Sequence, residues 1–119
     1  MILTSKQIDA YKDDGAIVIR DVFKPWINNL REGFEKVLKN PGPHARENTD
    51  TNENGSFFED YCNWERIPEF KKFAKESPAA QIVAEVTSSK SIQVFHDHIF
   101  VKEPSTSKPT PWHQDMPYY

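Results

Sequence analysis

The eleven residues from Ile92 to Lys102 constrain this chain more than any other stretch. They are rich in β-branched and aromatic side chains and read as one long strand. Side chains alternate along a strand. Gln93, Phe95, Asp97, Ile99 and Val101 therefore share one face, and Ile92, Val94, His96, His98, Phe100 and Lys102 the other. The second face is the unusual one, because its apolar start gives way to His, His, Phe and Lys. Burying each of those ionisable groups requires a partner. The residues leave two settings open, a solvated outer face and the lining of a polar cavity.

The preceding residues supply mainly helical cover. Thr4 with Gln7 forms a capping box, Ile8 and Tyr11 give an apolar stripe, and Gly15 is placed to end the helix in a left-handed turn. Ala16 to Arg20 reads as a short strand. Pro25 can sit in a first helical turn. Trp26, Ile27, Leu30, Phe34, Val37 and Leu38 then recur at helical spacing until Asn40-Pro41-Gly42-Pro43 stops the helix. Residues 41–56 read as a long loop in which His44 faces solvent. Phe57 to Trp64 reads as a short strand or irregular edge. Pro68 opens a helix with Phe70, Phe73 and Ala74 on one side. Ser77 before Pro78 caps another, with Ala80, Ile82, Val83 and Val86. A chain of 119 residues is at most one domain. The expected class is α+β.

Beyond Lys102 a polar loop, Ser105 to Pro111, leads to Trp112-His113-Gln114-Asp115-Met116-Pro117-Tyr118-Tyr119. On a strand His113 and Asp115 point the same way and Gln114 the other. An imidazole and a carboxylate so placed can hold adjacent positions on one metal ion. The pair alone is a weak signal. Four His and eight Asp in this chain give roughly 0.3 such matches by chance. A tetrahedral zinc site built from His96, His98, His113 and Asp115 is an alternative use of the same residues.

Two patches together raise the odds. The strand ending Val101-Lys102-Glu103-Pro104, its loop, and the His-Gln-Asp motif resemble the phytanoyl-CoA dioxygenase family of Fe(II)- and 2-oxoglutarate-dependent oxygenases. A looser likeness covers Gln7-Ile8, Tyr11, Asp14-Gly15 and Ile17-Val18-Ile19. The resemblance implies N-terminal helices packed on the first strands of an incomplete double-stranded β-helix, or jelly roll. Residues 1–90 would be mostly helical cover with one early strand, and 91–119 the first metal-site strands. It further implies Fe(II) on His113 and Asp115, with 2-oxoglutarate as cosubstrate. Lys102 would meet a 2-oxoglutarate carboxylate, with His98 as another cosubstrate contact and Gln114 steadying the metal strand or touching the cosubstrate. His96, Phe100 and Trp112 would face a small-molecule substrate. Met116, Tyr118 and Tyr119 would flank the site as packing or pocket wall.

The family's second metal histidine and its 2-oxoglutarate arginine lie on later strands, past Tyr119. The expectation is a truncated chain that is inactive alone, with open sheet edges that invite pairing with a second copy. Asp115 argues against a halogenase, which needs that position open. A non-catalytic α+β association module is the other reading. The net charge of −3 does not favour nucleic acid or an anionic membrane surface, and no run of eighteen apolar residues is present. Cys62 is the only cysteine, so no internal disulfide forms, which fits a reducing cytoplasm.

Overall fold

A computed structural model describes residues 1–50, 52 and 54–115. Four helices and three strands follow one another as α1 (Ser5–Asp14), α2 (Ile27–Lys39), β1 (Arg46–Glu47), β2 (Phe57–Tyr61), α3 (Pro68–Glu76), α4 (Ala79–Thr87) and β3 (His98–Lys102). The class is mixed α+β. The sheet is open and antiparallel, with strand order β1-β2-β3.

Local sequence explains the helix ends. The Thr4 hydroxyl accepts the Gln7 amide hydrogen, and the Gln7 side chain answers on the Thr4 amide, so the capping box forms. Gly15 closes α1 at φ 75° and donates to the Tyr11 carbonyl, the left-handed stop a glycine adopts without Cβ strain. Pro25 falls in a 3₁₀ turn, Lys24–Trp26, that leads directly into α2. Pro68 occupies the first turn of α3. The Ser77 hydroxyl accepts the Ala79 amide at the head of α4.

The core lies between the helices and one face of the sheet. Val37, Ile67, Phe70 and Ile99 are buried together, flanked by Leu30, Phe34, Phe58, Trp64 and Val101. Helix α2 approaches α3 closely because Gly33 offers no side chain where the Phe70 ring lies. Phe34 meets the same ring edge-on, with centroids 5.8 Å apart. The N-terminus is tied back by Glu85 of α4, whose carboxylate accepts the Leu3 amide at 2.8 Å and the Ile2 amide at 2.9 Å. Those backbone donors, the Leu3 amide first, hold the Glu85 carboxyl below its ordinary range.

Three expectations are corrected. Ala16–Arg20 forms no strand, and Val18 is exposed. No neighbouring strand among the described residues lies against this segment, and β-branched residues alone do not supply the missing ladder. The loop 41–56 contains β1, which pairs Arg46 with Glu59 and Glu47 with Phe58. The strand read from Ile92 begins only at His98. Its partner β2 ends opposite, at Tyr61, and the chain then turns at Cys62 with φ 63°. Residues 92–97 therefore find no ladder. Instead the Asp97 carbonyl accepts the Cys62 amide at 3.0 Å, and its carboxylate accepts the Trp64 amide at 2.6 Å.

Candidate metal and cosubstrate site

Within β3 the alternation holds. Ile99 is buried and Val101 half-buried against the core, while His98, Phe100 and Lys102 lie on the opposite, exposed side. Antiparallel register places Tyr61 beside His98, Glu59 beside Phe100 and Phe57 beside Lys102. The outward face of the sheet is thus a band of aromatic and ionisable side chains. His98 lies on Phe100 with centroids 4.0 Å apart and 5.4 Å from Tyr61. Its Nε2 is 3.5 Å from Glu59. His96 also borders Tyr61, at 6.2 Å.

His44 is exposed, as its loop predicts. Its ring also stacks on Tyr61, with centroids 4.4 Å apart and planes at 15°. A buried polar knot puts it there. Asp60 and Asn63 are fully buried. The Asp60 carboxylate accepts the Gly42 amide at 2.7 Å and pairs with Arg66 at 3.6 Å. The Arg66 Nε–H donates to Asn63 at 2.6 Å. The knot fixes the loop before His44 to the end of β2. Asp60 shares the core face of β2 with Phe58, opposite Ile99 and Val101, and a buried Asp requires donors.

Lys102 ends β3. Its ammonium lies over the Phe57 ring, 5.1 Å from the centroid, and donates to the Lys108 carbonyl. The exit of the strand is held as well. Glu103 N–H donates to the Ser56 carbonyl at 2.8 Å, and its carboxylate accepts the Ser56 amide at 3.0 Å.

Residues 112–115 are not a strand, and all four are exposed. The chain has left the sheet after Lys102, so no ladder sets their alternation. His113 and Asp115 nevertheless converge, with Nε2 3.2 Å from Oδ1. The Nδ1 of His113 is 2.8 Å from the Pro111 carbonyl. A carbonyl only accepts, so Nδ1 carries the proton in that contact. Nε2 then faces a carboxylate oxygen of Asp115. Two such atoms can both bind one metal ion. Two ligands about 2.1 Å from one ion, at right angles to each other, lie about 3.0 Å apart. The pair therefore fits two neighbouring positions on a metal. A backbone carbonyl receiving the remaining ring N–H is the usual support of a metal-binding histidine.

The expected residues do not all gather. His96 and His98 cluster around Tyr61, and His113 pairs with Asp115 elsewhere in the chain. Among the described residues no three His, Cys, Asp or Glu side chains approach as a metal cluster. The four-ligand zinc set is therefore not assembled. Gln114 and Trp112 are exposed. Met116, Tyr118 and Tyr119 lie outside the described residues. No helix among the described residues is long and apolar enough to cross a membrane.

No curated protein and no solved structure matches the chain. The family model for phytanoyl-CoA dioxygenase matches residues 11–119, from the last turn of α1 through the sheet to the His113–Asp115 segment, and the chain belongs to that family.

Proposed function

We propose that this chain carries the entry to the metal site of an Fe(II)- and 2-oxoglutarate-dependent hydroxylase. His113 and Asp115 would be two of the metal's ligands. The observation that carries this reading is their 3.2 Å approach within a segment matched by the family model. Family membership supports the oxygenase class, and the tautomer-fixing contact to Pro111 supports the role of His113. The jelly roll, with the present sheet as its first part, belongs to the same proposal.

Fe(II) with 2-oxoglutarate would supply the oxidative decarboxylation that drives substrate hydroxylation. The chain's own residues would bind and orient. His113 would present Nε2 while Nδ1–H stays on Pro111. Asp115 would bring the negative charge that favours a divalent ion. Lys102 would exchange the Lys108 carbonyl for a cosubstrate carboxylate, a mobile point charge on a strand whose exit is fixed. His98, on the same face, would contact the cosubstrate, and His96, Phe100 and Trp112 a small-molecule substrate. Gln114 would steady the metal segment.

The test is Mn²⁺ titration of the ¹⁵N-labelled chain followed by 2-oxoglutarate. Paramagnetic broadening should centre on His113 and Asp115 and vanish in His113→Ala, and 2-oxoglutarate should perturb Lys102 only when the metal is present. Broadening that is unchanged in His113→Ala would reject the assignment.

A further inference from the structure

Register fixes what stands on the outward face of the sheet. Across the three strands Arg46 is beside Glu59, and Glu59 beside Phe100. Two residues along β2, Tyr61 is beside His98. The β1–β2 register, carried two residues back from Arg46, brings His44 opposite Tyr61. Their ring contact, 4.4 Å between centroids and 15° between planes, agrees with that continuation. Cross-strand partners stand on one side of a sheet, with Cβ atoms about 4.5–5.5 Å apart. His44 and Arg46 therefore share the face of His98, Phe100 and Lys102, although neither has a part in the cosubstrate and substrate roles proposed above.

The chain as a whole carries more acid than base, 18 residues against 15. This face reverses the balance. It presents Arg46, Lys102, His44 and His98 against the carboxylate of Glu59, which already lies 3.5 Å from His98. The Arg46 guanidinium has no ion pair, and the His44 ring nitrogens no hydrogen bond, among the described residues. Both side chains are exposed. His44 is nevertheless held in place, by the Tyr61 ring beneath it and by the Gly42 amide that Asp60 fixes two residues earlier. A polar group so mounted loses little freedom when a ligand arrives. Beside these groups Phe100 is 53 % exposed. We propose that β1 completes the binding face: Arg46 and His44 are specificity-determining residues that receive an anionic group of the substrate, a carboxylate or a phosphate, while its apolar body lies over Phe100. The proposal rests on the reading that the substrate lies on this face. The planar guanidinium offers paired donors to such an anion. Arg46 stands two strands and one two-residue step from Lys102, roughly 12 Å across the backbone. Substrate anion and cosubstrate carboxylate thus have separate cations.

Two probes separate charge from shape. 3-Phenylpropanoate and 3-phenylpropanamide share one skeleton, and only the first is an anion. Titrated at low salt into the ¹⁵N-labelled chain, the acid should shift the amides of Arg46, Tyr61 and Phe100. It should bind about fivefold more tightly than the amide, the ratio that about 1 kcal/mol gives. Arg46→Gln should remove that advantage, and Arg46→Lys, which keeps the charge, should retain most of it. His44→Ala should lower it at least about twofold. Arg46 is exposed on a two-residue edge strand, so its variants keep the fold. Lys12→Gln, an exposed cation on α1, should leave the ratio unchanged. Equal affinity of acid and amide in the wild-type chain would overturn the proposal. So would an advantage that survives Arg46→Gln, or one that is lost only in Lys102→Gln, which would put the anion on the cosubstrate lysine. None of these readouts uses metal or 2-oxoglutarate. Acid selection through Arg46 in a chain that fails the Mn²⁺ test would reject the hydroxylase and leave the anion site standing.

Discussion

Replacing Asp60 by Ala tests whether the buried knot holds the outward face of the sheet together. The carboxylate is fully buried and accepts the Gly42 amide at 2.7 Å. A hydrogen bond to a charged group contributes about 1.5–3 kcal/mol. The Arg66 partner is 3.6 Å away and its side chain is about a third exposed, so screening limits that pair to roughly 0.2–1 kcal/mol. The contact to the adjacent Tyr61 amide, 2.9 Å from Oδ1, is local and adds little. The sum is a loss of about 2–4 kcal/mol. Asp60→Asn keeps the volume and one acceptor for Gly42, and should cost only about 1 kcal/mol, near a neutral hydrogen bond. Urea unfolding reads both. With a slope of about 1.5 kcal/mol/M, the Ala variant should lower the midpoint by about 2 M. A second substitution makes the test specific. A Cβ on Gly42 would lie 2.8 Å from Asn63 Oδ1 and 3.0 Å from Asp60 Oδ2. Gly42→Ala and Asp60→Ala disturb one knot, so their costs should fall short of additive by at least about 0.5 kcal/mol. The His44 ring protons should also lose the upfield shift that stacking on Tyr61 imposes. An Asp60→Ala loss below 1 kcal/mol with His44 unmoved would refute the reasoning.

Gly33→Ala sets two effects against each other. Alanine gains about 1 kcal/mol of helix propensity, but its Cβ would lie 2.8 Å from Phe70 Cδ1, and overpacking a core costs about 1–3 kcal/mol. Thermal unfolding should show a net loss of about 1 kcal/mol, roughly 4 °C, and a raised Tm would show that the ring yields freely. Glu47 gives a pH signature. Donation from Ser56 first, then Thr49, with the Phe57 and Thr49 amides, holds its carboxyl down from 4.5 to about 2. A depressed carboxyl contributes stability that is fully present above pH 4.5 and lost as pH falls through about 2. The Tm gap between wild type and Glu47→Gln should therefore be constant from pH 7 to 5 and shrink from pH 4.5 to 2. A gap that is flat across that window would mean that these donors do not discriminate the ionised form.

The parts of the fold that follow from neighbours in sequence were legible. The Thr4–Gln7 box, the Gly15 stop, the Pro68 start and the stripe of Leu30, Phe34 and Val37 on the core side of α2 are all decided within a turn or two of chain, whereas Ile27 and Leu38 at the stripe's edges are exposed. What failed depended on a distant partner. Val18 and Val94 have the composition of strand residues, yet both are exposed. A strand is a relation between two segments, and on its β3 edge β2 offers a ladder only as far as His98–Lys102 before turning at Cys62. The face assignment survived this error, because it depends on parity rather than on where the strand begins: His98, Phe100 and Lys102 still lie together. The same parity argument did not carry over to His113 and Asp115, which lie outside any strand. There the approach comes from local chain geometry and a ring proton given to Pro111. His44 is exposed as its loop predicts, but its stacking on Tyr61 was not legible. Nothing near it in sequence predicts that contact. The cause is a carboxylate at position 60, eighteen residues away from the amide it receives. An acidic residue on the core-facing side of a strand, as Asp60 is opposite Ile99, therefore requires a donor, and the loop carrying that donor brings its neighbours to the same place.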